Sequence, residues 1–233
     1  MKMSEGRGVE KSSEIDRSAT DRGYGPSEFA ADLDVSRETL SRFEIYADLL
    51  IKWQNRINLV GPGSLPDMWR RHILDSAQIA KHLPRPLSGP IYDIGSGAGF
   101  PGMVLAILGV PEISLVESDG RKCAFLREVA RATETEVRVM QQRLNSGSKS
   151  EQLPPAAIVL CRAVAPLPKL LDIVFPVISS STCCMFLKGA AASDEVRRAR
   201  RKWQFQLESI QSRTSPDGVI LKLSGIDQNG AAN

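Results

Sequence analysis

The sequence predicts an α/β fold: a mostly parallel sheet with helices on both faces, a C-terminal antiparallel hairpin and an N-terminal helical extension. Three observations predict it. Between Gly89 and Gly189 short apolar runs alternate with amphipathic ones, the order of strand–helix units in a parallel sheet. A glycine-rich turn, "GSGAGFPG", joins the first of these strands to the first of these helices. Beyond the last alternation, "WQFQLESIQS" and "GVILKLS" are two extended segments joined across "SPDG", a turn with a φ-permissive glycine.

The elements follow in order. Residues 1–26 are polar and without apolar periodicity, which predicts a mobile arm. From Ser36 onward, Leu40, Phe43, Tyr46, Leu50, Trp53 and Ile57 recur every three or four residues and line one helix face. Ser36, with Glu38 and Thr39 behind it, supplies N-cap chemistry. "VGPGSLP" breaks that helix, "DMWRRHILDSAQIAKHL" resumes helical spacing, and "PRPLSGP" stops it, since proline lacks the amide donor. Residues 27–88 are thus a helical extension and residues 89–226 the α/β domain. There "IYDI" reads as a strand and "PGMVLAILG" as a helix with Pro101 in its first turn, where a missing donor costs nothing. "ISLVES" is the second strand and "GRKCAFLREVARAT" its helix. "TEVRVMQQ" is the third strand, and "AAIVLCRAV" a fourth, fully apolar as a strand covered on both faces should be. "PLPKLLDIVFPVI" is helical up to Pro176, "TCCMFLKG" is the fifth strand, and a basic helix spans Glu195 to Arg201.

Composition excludes several classes. With 42% hydrophobic and 24% charged residues, the 233-residue chain is ordinary for a globular protein of one domain with an extension. No run approaches the roughly 18 apolar residues of a membrane helix, and the N-terminus has no apolar core of a secretory signal. Cys123, Cys161, Cys183 and Cys184 form no CxxC pair, and adjacent cysteines on a strand point to opposite faces. A reduced, cytoplasmic protein is expected. Two histidines, His72 and His82, are not spaced as a metal-ligand set, so no metal is expected. The net charge of +3 says little by itself. The run "EVRRARRK" puts five cations into eight residues, and Arg70 and Arg71 form a second cluster.

The glycine turn contains a literal GxGxxG from Gly97 to Gly102, the spacing of a dinucleotide fingerprint. A pyrophosphate at a helix N-terminus wants bare N–H groups and no anion nearby. Asp93, in the strand two residues before Gly95, would point a charge there. S-adenosylmethionine carries no phosphate but does carry an α-ammonium, for which a strand-end acid is a natural partner. Gly95, Gly97 and Gly99 would let the chain pass close beneath the methionine and ribose. Glu117 ends the second strand, 22 residues after Gly95, where an acid holds ribose hydroxyls in both cofactor classes. The terminal hairpin is uncommon in dinucleotide folds and usual in class I methyltransferases, whose sheet is Rossmann-like. Together these favour S-adenosylmethionine over a nicotinamide cofactor. A blander reading stands beside them: the glycines serve packing only, and Asp93 caps the helix.

The blocks "LLIKWQNRINLV", "RRHILDS", "DIGSGAGFPG", "LVESDGRKCAFLREV", "CRAVAPLPKLL" and "FLKG" run in order from Leu49 to Gly189. Taken as an ordered set, the sequence resembles the 16S rRNA guanine-N7 methyltransferase family once called glucose-inhibited division protein B. The resemblance implies a class I enzyme that uses S-adenosylmethionine, releases S-adenosylhomocysteine, and methylates N7 of one guanine in the small-subunit rRNA loop near the decoding centre. By position it puts cofactor contacts on Gly95, Phe100, Leu144, Asn145 and Arg162. Two positions depart from the family: Asn145 where an acid is usual, and Gln54 where asparagine is common.

Guanine N7 has an available lone pair, so its methylation requires no general base, only in-line placement and tolerance of positive charge on the base. In keeping with that, the sequence has no N/D-P-P-aromatic motif and no Pro-Cys nucleophile, and Cys161 reads as a packing residue. Arg162 is the candidate catalytic residue, a fork for guanine O6, the cofactor carboxylate or an RNA phosphate, with a surface ion pair as the plain alternative. Lys188, at the end of the fifth strand, is a candidate phosphate contact, as are Arg70, Arg71, Arg197, Arg198 and Arg201. His72 and Asp75, three apart on a helix, share a face and could pair. Trp53 and Trp69 fall on or near apolar stripes and are expected in the core. The expected partner is 16S rRNA, in the small subunit or an assembly intermediate, for a monomeric protein with no membrane association. The rivals are a methyltransferase of a small molecule or protein, and a non-catalytic RNA-binding module.

Overall fold

The computed structural model describes residues 23–144 and 153–230. Most of the expected arm, and Asn145, lie outside the described residues. A seven-stranded sheet runs β3–β2–β1–β4–β5–β7–β6, with β1 Ile91–Ile94, β2 Ile113–Glu117, β3 Arg138–Gln141, β4 Ile158–Arg162, β5 Cys183–Lys188, β6 Trp203–Gln211 and β7 Val219–Gln228. The first five strands pair in parallel, and β7 pairs antiparallel with both β5 and β6. The order reverses between β1 and β4, so the loops after these strands diverge and leave a crevice at their carboxyl ends.

Strand alternation divides the interior in two. Ile91, Leu115, Ile158, Leu160, Cys183 and Met185 face one apolar cluster, while Tyr92, Val116, Val159, Cys161, Cys184 and Phe186 face the other. The two neighbouring cysteines therefore lie on opposite faces, and all four are free and buried. The first cluster is closed by α4 (Gly102–Ile107), α5 (Gly120–Ala132) and the N-terminal helices α1 (Pro26–Leu33) and α2 (Arg37–Gln54). The second takes α6 (Leu167–Val174) and parts of α7 (Ala192–Ala199). The basic helix thus starts before Glu195, and Pro101 sits immediately before α4 rather than within it. No helix among the described residues is long and apolar enough to cross a membrane.

The extension is fastened by particular contacts. Ser36 caps α2, its hydroxyl accepting from Thr39 N–H at 3.1 Å. Trp53 meets Phe125 edge-on and donates from Nε1 to Glu128 on α5. Gln54 Oε1 accepts from the N–H groups of Leu59 and Val60 while its Nε2 donates to Val60 O, so one side chain organises the chain reversal after α2. Trp69 is buried against Phe29. The following helical stretch departs from the regular spacing the sequence suggests. It opens on a 3-10 turn at Pro62–Asp67, becomes a π turn at Trp69–Leu74, is α-helical only over α3 (Asp75–Ala77), and ends as a 3-10 turn at Gln78–His82.

Candidate functional site

The glycine loop leaves β1 and enters α4 with Gly95, Gly97 and Gly99 all at positive φ, a region that favours glycine. The reason for bare positions differs between them. A Cβ on Gly99 would come within 2.8 Å of Met103 Cβ and 2.9 Å of the Tyr46 hydroxyl. One on Gly95 would meet Val164 Cγ2 at 2.4 Å. These two glycines make room for the protein's own side chains, whereas beside Gly97 the nearest atom is Gly95 O at 3.8 Å.

Asp93 lies fully buried beneath the loop. Its Oδ2 accepts from Gly102 N–H at 2.9 Å and so caps α4, while Oδ1 is buried without a partner. Burial pushes its pKa up to about 7, although the Gly102 N–H and the Arg162 charge pull the other way. Glu117 Oε2 accepts from Gly97 N–H at 2.9 Å and Oε1 from Asp119 N–H at 2.8 Å, which ties the glycine loop to the turn after β2. The Ser118 hydroxyl also reaches Oε1, at 3.5 Å, and Oε2 keeps a further lone pair. Leu144, after β3, is half-buried against the second apolar cluster.

Phe100 carries the loop into contact with the extension. Its ring is buried, stacks on His72 at 5.1 Å, and lies under the Arg162 guanidinium at 4.8 Å. Arg162, at the end of β4, donates from Nη1 to His72 Nδ1 at 2.8 Å and to Arg71 O at 3.2 Å. Guanidinium cannot accept, so His72 Nδ1 is the acceptor and Nε2 carries the proton, donated to Ser64 Oγ at 2.8 Å. Ser64 in turn donates to Gly61 O. Burial, then the Arg162 and Arg71 charges, hold the His72 pKa down to about 3, so the ring is neutral.

His72 and Asp75 do not pair with each other, contrary to the helical reading. The π turn changes their relation, and Arg162 comes between them. Asp75 Oδ1 instead accepts from Thr214 Oγ1 at 2.6 Å, Gln78 Nε2 at 2.8 Å and Ser212 Oγ at 3.3 Å, joining the extension to the hairpin turn. Asp75 Oδ2 lies 3.9 Å from Arg162 Nη1. Burial raises the Asp75 pKa against the pull of Thr214 and Arg162. Ser64, Ser212 and Thr214 escaped sequence reasoning because hydroxyls in loops carry no periodic signal. "RRHILDS" was the available clue.

Arg162 and Asp75 line a cleft of about 890 Å³ at the carboxyl ends of β4 and β5. Arg70, Arg71, Val164, Pro166 and Ser215 add to its walls. Arg70 and Arg71 are exposed at its rim. Lys188 also borders it, but the ammonium is already held by Glu195 at 2.9 Å and Ala165 O at 2.6 Å, so it is not the free cation a phosphate contact calls for. Arg197, Arg198 and Arg201 are exposed on α7 and just after it, Arg197 beside Asp194. Burial keeps the Cys161 thiol protonated, as befits a packing residue.

Solved structures resemble this arrangement at low identity. A glycopeptide N-methyltransferase in complex with S-adenosylmethionine superposes with a TM-score of 0.52 at 13% identity, covering 66% of this chain and 93% of that one. A predicted O-methyltransferase from Agrobacterium tumefaciens gives a TM-score of 0.52 at 14% identity, over 68% and 83%. That likeness establishes a class I methyltransferase fold. Closer relatives are the ribosomal RNA small subunit methyltransferase G of Paramagnetospirillum magneticum, 48% identical over 89% of this chain and 98% of the relative, and that of Rhodospirillum rubrum, 49% identical over 86% and 98%. The family model described as rRNA small subunit methyltransferase G matches residues 39–218, from the first turn of α2 to the hairpin turn. The chain therefore belongs to the rRNA small subunit methyltransferase G family.

Proposed function

We propose that this protein transfers a methyl group from S-adenosylmethionine to N7 of a guanine in 16S rRNA, in the small subunit or an assembly intermediate, acting as a cytoplasmic monomer. The observation that carries the reading is the near-complete alignment with relatives named for small-subunit rRNA methylation, 48% identical over 98% of one of them.

The loop suits the cofactor on physical grounds. The unpartnered Asp93 Oδ1 is an acceptor waiting for a donor, and an α-ammonium supplies one. The open side of Gly97 admits close approach. Glu117 retains a lone pair on Oε2 for a ribose hydroxyl beyond that held by Gly97. Phe100, Leu144 and Arg162 are the further cofactor contacts that the resemblance implies. When bound, S-adenosylmethionine contributes an electrophilic methyl group on a sulfonium.

The chain's own task is placement. N7 attacks with its lone pair, so no residue has to remove a proton. His72 is unsuited to do so, being neutral with both ring nitrogens engaged. Among the described residues Arg162 Nε–H and the Nη2 donors have no partner, and they line a cleft wide enough for a base. Arg70 and Arg71 at the rim, with Arg197, Arg198 and Arg201 on the neighbouring surface, meet the phosphate backbone and set register without selecting a base.

The test is nucleoside mass spectrometry of 16S rRNA after incubation with the protein and labelled S-adenosylmethionine. One labelled 7-methylguanosine per rRNA is expected. Label confined to protein or to small molecules would replace this reading with one of its rivals.

A further inference from the structure

We infer that Asp75 and Arg162 together read the Watson–Crick edge of the target guanine, Arg162 donating to O6 and Asp75 Oδ2 accepting from N1–H and the N2 amine. The inference rests on the guanine reading above and adds what makes the cleft choose that base.

The two side chains form a matched donor–acceptor pair in one wall of the cleft. Arg162 Nη1 is occupied by His72 Nδ1 and Arg71 O, and the remaining donors of the fork have no partner among the described residues. Asp75 is complementary to it. Oδ1 takes three donors, and Oδ2 accepts no hydrogen bond among the described residues. The Arg162 charge lies 3.9 Å from Oδ2. That spacing suits two groups that converge on neighbouring atoms of one ring edge.

Guanine presents O6, an acceptor, beside N1–H, a donor, with the N2 amine next to it. Adenine presents the reverse, an amine beside an unprotonated N1. Neither protein group can invert its role: guanidinium has no acceptor and carboxylate no donor. A site built this way rejects the inverted pattern, because both of its polar groups would then be left unpaired. Asp75 is also held firmly, by Gln78 on the extension and by Ser212 and Thr214 at the hairpin turn.

The same arrangement orients the reacting atom. Val164 lies against Gly95, Arg162 reaches from the end of β4 over Phe100, and Asp75 lies beyond it. The wall therefore runs from glycine loop to extension as Val164, Arg162, Asp75. A guanine laid along it in the order N7, O6, N1 brings N7 to the loop side. As N7 takes the methyl group the ring becomes more positive and N1–H more acidic. Its hydrogen bond to Asp75 then strengthens, which favours the transition state over the ground state.

The experiment compares single-turnover methyl transfer to small-subunit rRNA carrying guanine or inosine at the methylated position. Inosine lacks only the N2 amine. The native protein should be about tenfold slower on inosine, the effect of removing one charge-assisted hydrogen bond. Asp75→Asn should be 10- to 100-fold slower on guanine, with the guanine–inosine ratio reduced to within twofold. Arg162→Ala should lose at least tenfold on both substrates while keeping the ratio. A native ratio within twofold overturns the inference without any variant, so it stays exposed even if Asp75→Asn fails to fold. A folded Asp75→Asn that retains the native ratio also overturns it. No transfer by the native protein to the guanine substrate would overturn the functional reading and this inference with it.

Discussion

A carboxyl such as Asp93, with one oxygen capping a helix and the other unpartnered, makes folding and ligand binding respond to pH together. A carboxyl in water ionises near pH 4, but burial pushes this one up to about 7. Between those values the unfolded chain has lost the proton that the folded chain keeps. Ionisation in that window weighs against the fold, and its stability falls as pH rises through it. Asp93→Asn preserves an acceptor for Gly102 N–H and removes the charge, so its melting temperature at pH 8 should be at or above that of the native protein. An ammonium beside Oδ1 favours the ionised form. Calorimetry with S-adenosylmethionine at pH 6.5, in buffers of different ionisation enthalpy, should therefore register proton release that is absent in Asp93→Asn, together with weaker binding by the variant. Identical heats and affinities would exclude Asp93 from the cofactor site. The sequence carried both uses of this residue, cap and ligand. What it could not carry was that Oδ2 makes the cap while Oδ1 is left unpartnered.

Among the elements, strands and the helices between them were legible because β1, β2, β4 and β5 are short, continuously buried apolar runs and α2 and α5 repeat near 3.6. The stretch from Pro62 to His82 was not. Its apolar residues Met68, Ile73, Leu74, Ala77 and Ile79 fit α-helical spacing, yet the chain passes through 3-10, π and α turns to meet Arg162 and the hairpin. Tertiary hydrogen bonding prevailed over local periodicity there, at the place where the candidate site is built. The turn that delivers this stretch depends on Gln54, which forms three backbone hydrogen bonds. Gln54→Ala leaves two half-buried N–H groups and a carbonyl without that partner and should lower stability by about 2 kcal/mol. Urea denaturation should show a lower midpoint with unchanged slope. A midpoint equal to the native value would assign the ordering of this turn to the surrounding apolar contacts instead.

On the scale of the whole molecule, the parallel sheet and the hairpin followed from the alternation of segments and the "SPDG" turn, since few topologies satisfy short, right-handed crossovers. The cleft did not follow, because it is formed by side chains distant in the chain, such as Asp75 and Thr214, which bond across 139 positions. Charge on the surface was legible in part: the cations of "EVRRARRK" are exposed as expected, while its Glu195 forms an internal pair with Lys188. For the exposed arginines, replacing Arg197, Arg198 and Arg201 by alanine should weaken rRNA binding at every sequence tested. It should also flatten the salt dependence, by about one in log–log slope for each phosphate left unneutralised. Transfer at saturating rRNA should change little. Slopes that match the native protein would place the RNA elsewhere on the surface.

One apolar cluster runs without interruption from Phe29 and Phe43 in the extension, through Leu105 and Phe125, to Met185 and Ile220 in the sheet. Beside it, the hydrogen bonds of His72, Asp75 and Gln78 to Arg162 and the hairpin turn cross the same boundary. Shortening the gene up to the first strand would leave α4 and α5 as the only helices of that cluster and expose the apolar surface that α1 and α2 cover, which would find other company, most readily another copy in the same condition. The N-terminal helices are better regarded as half of the enzyme's inner wall than as an attachment to it.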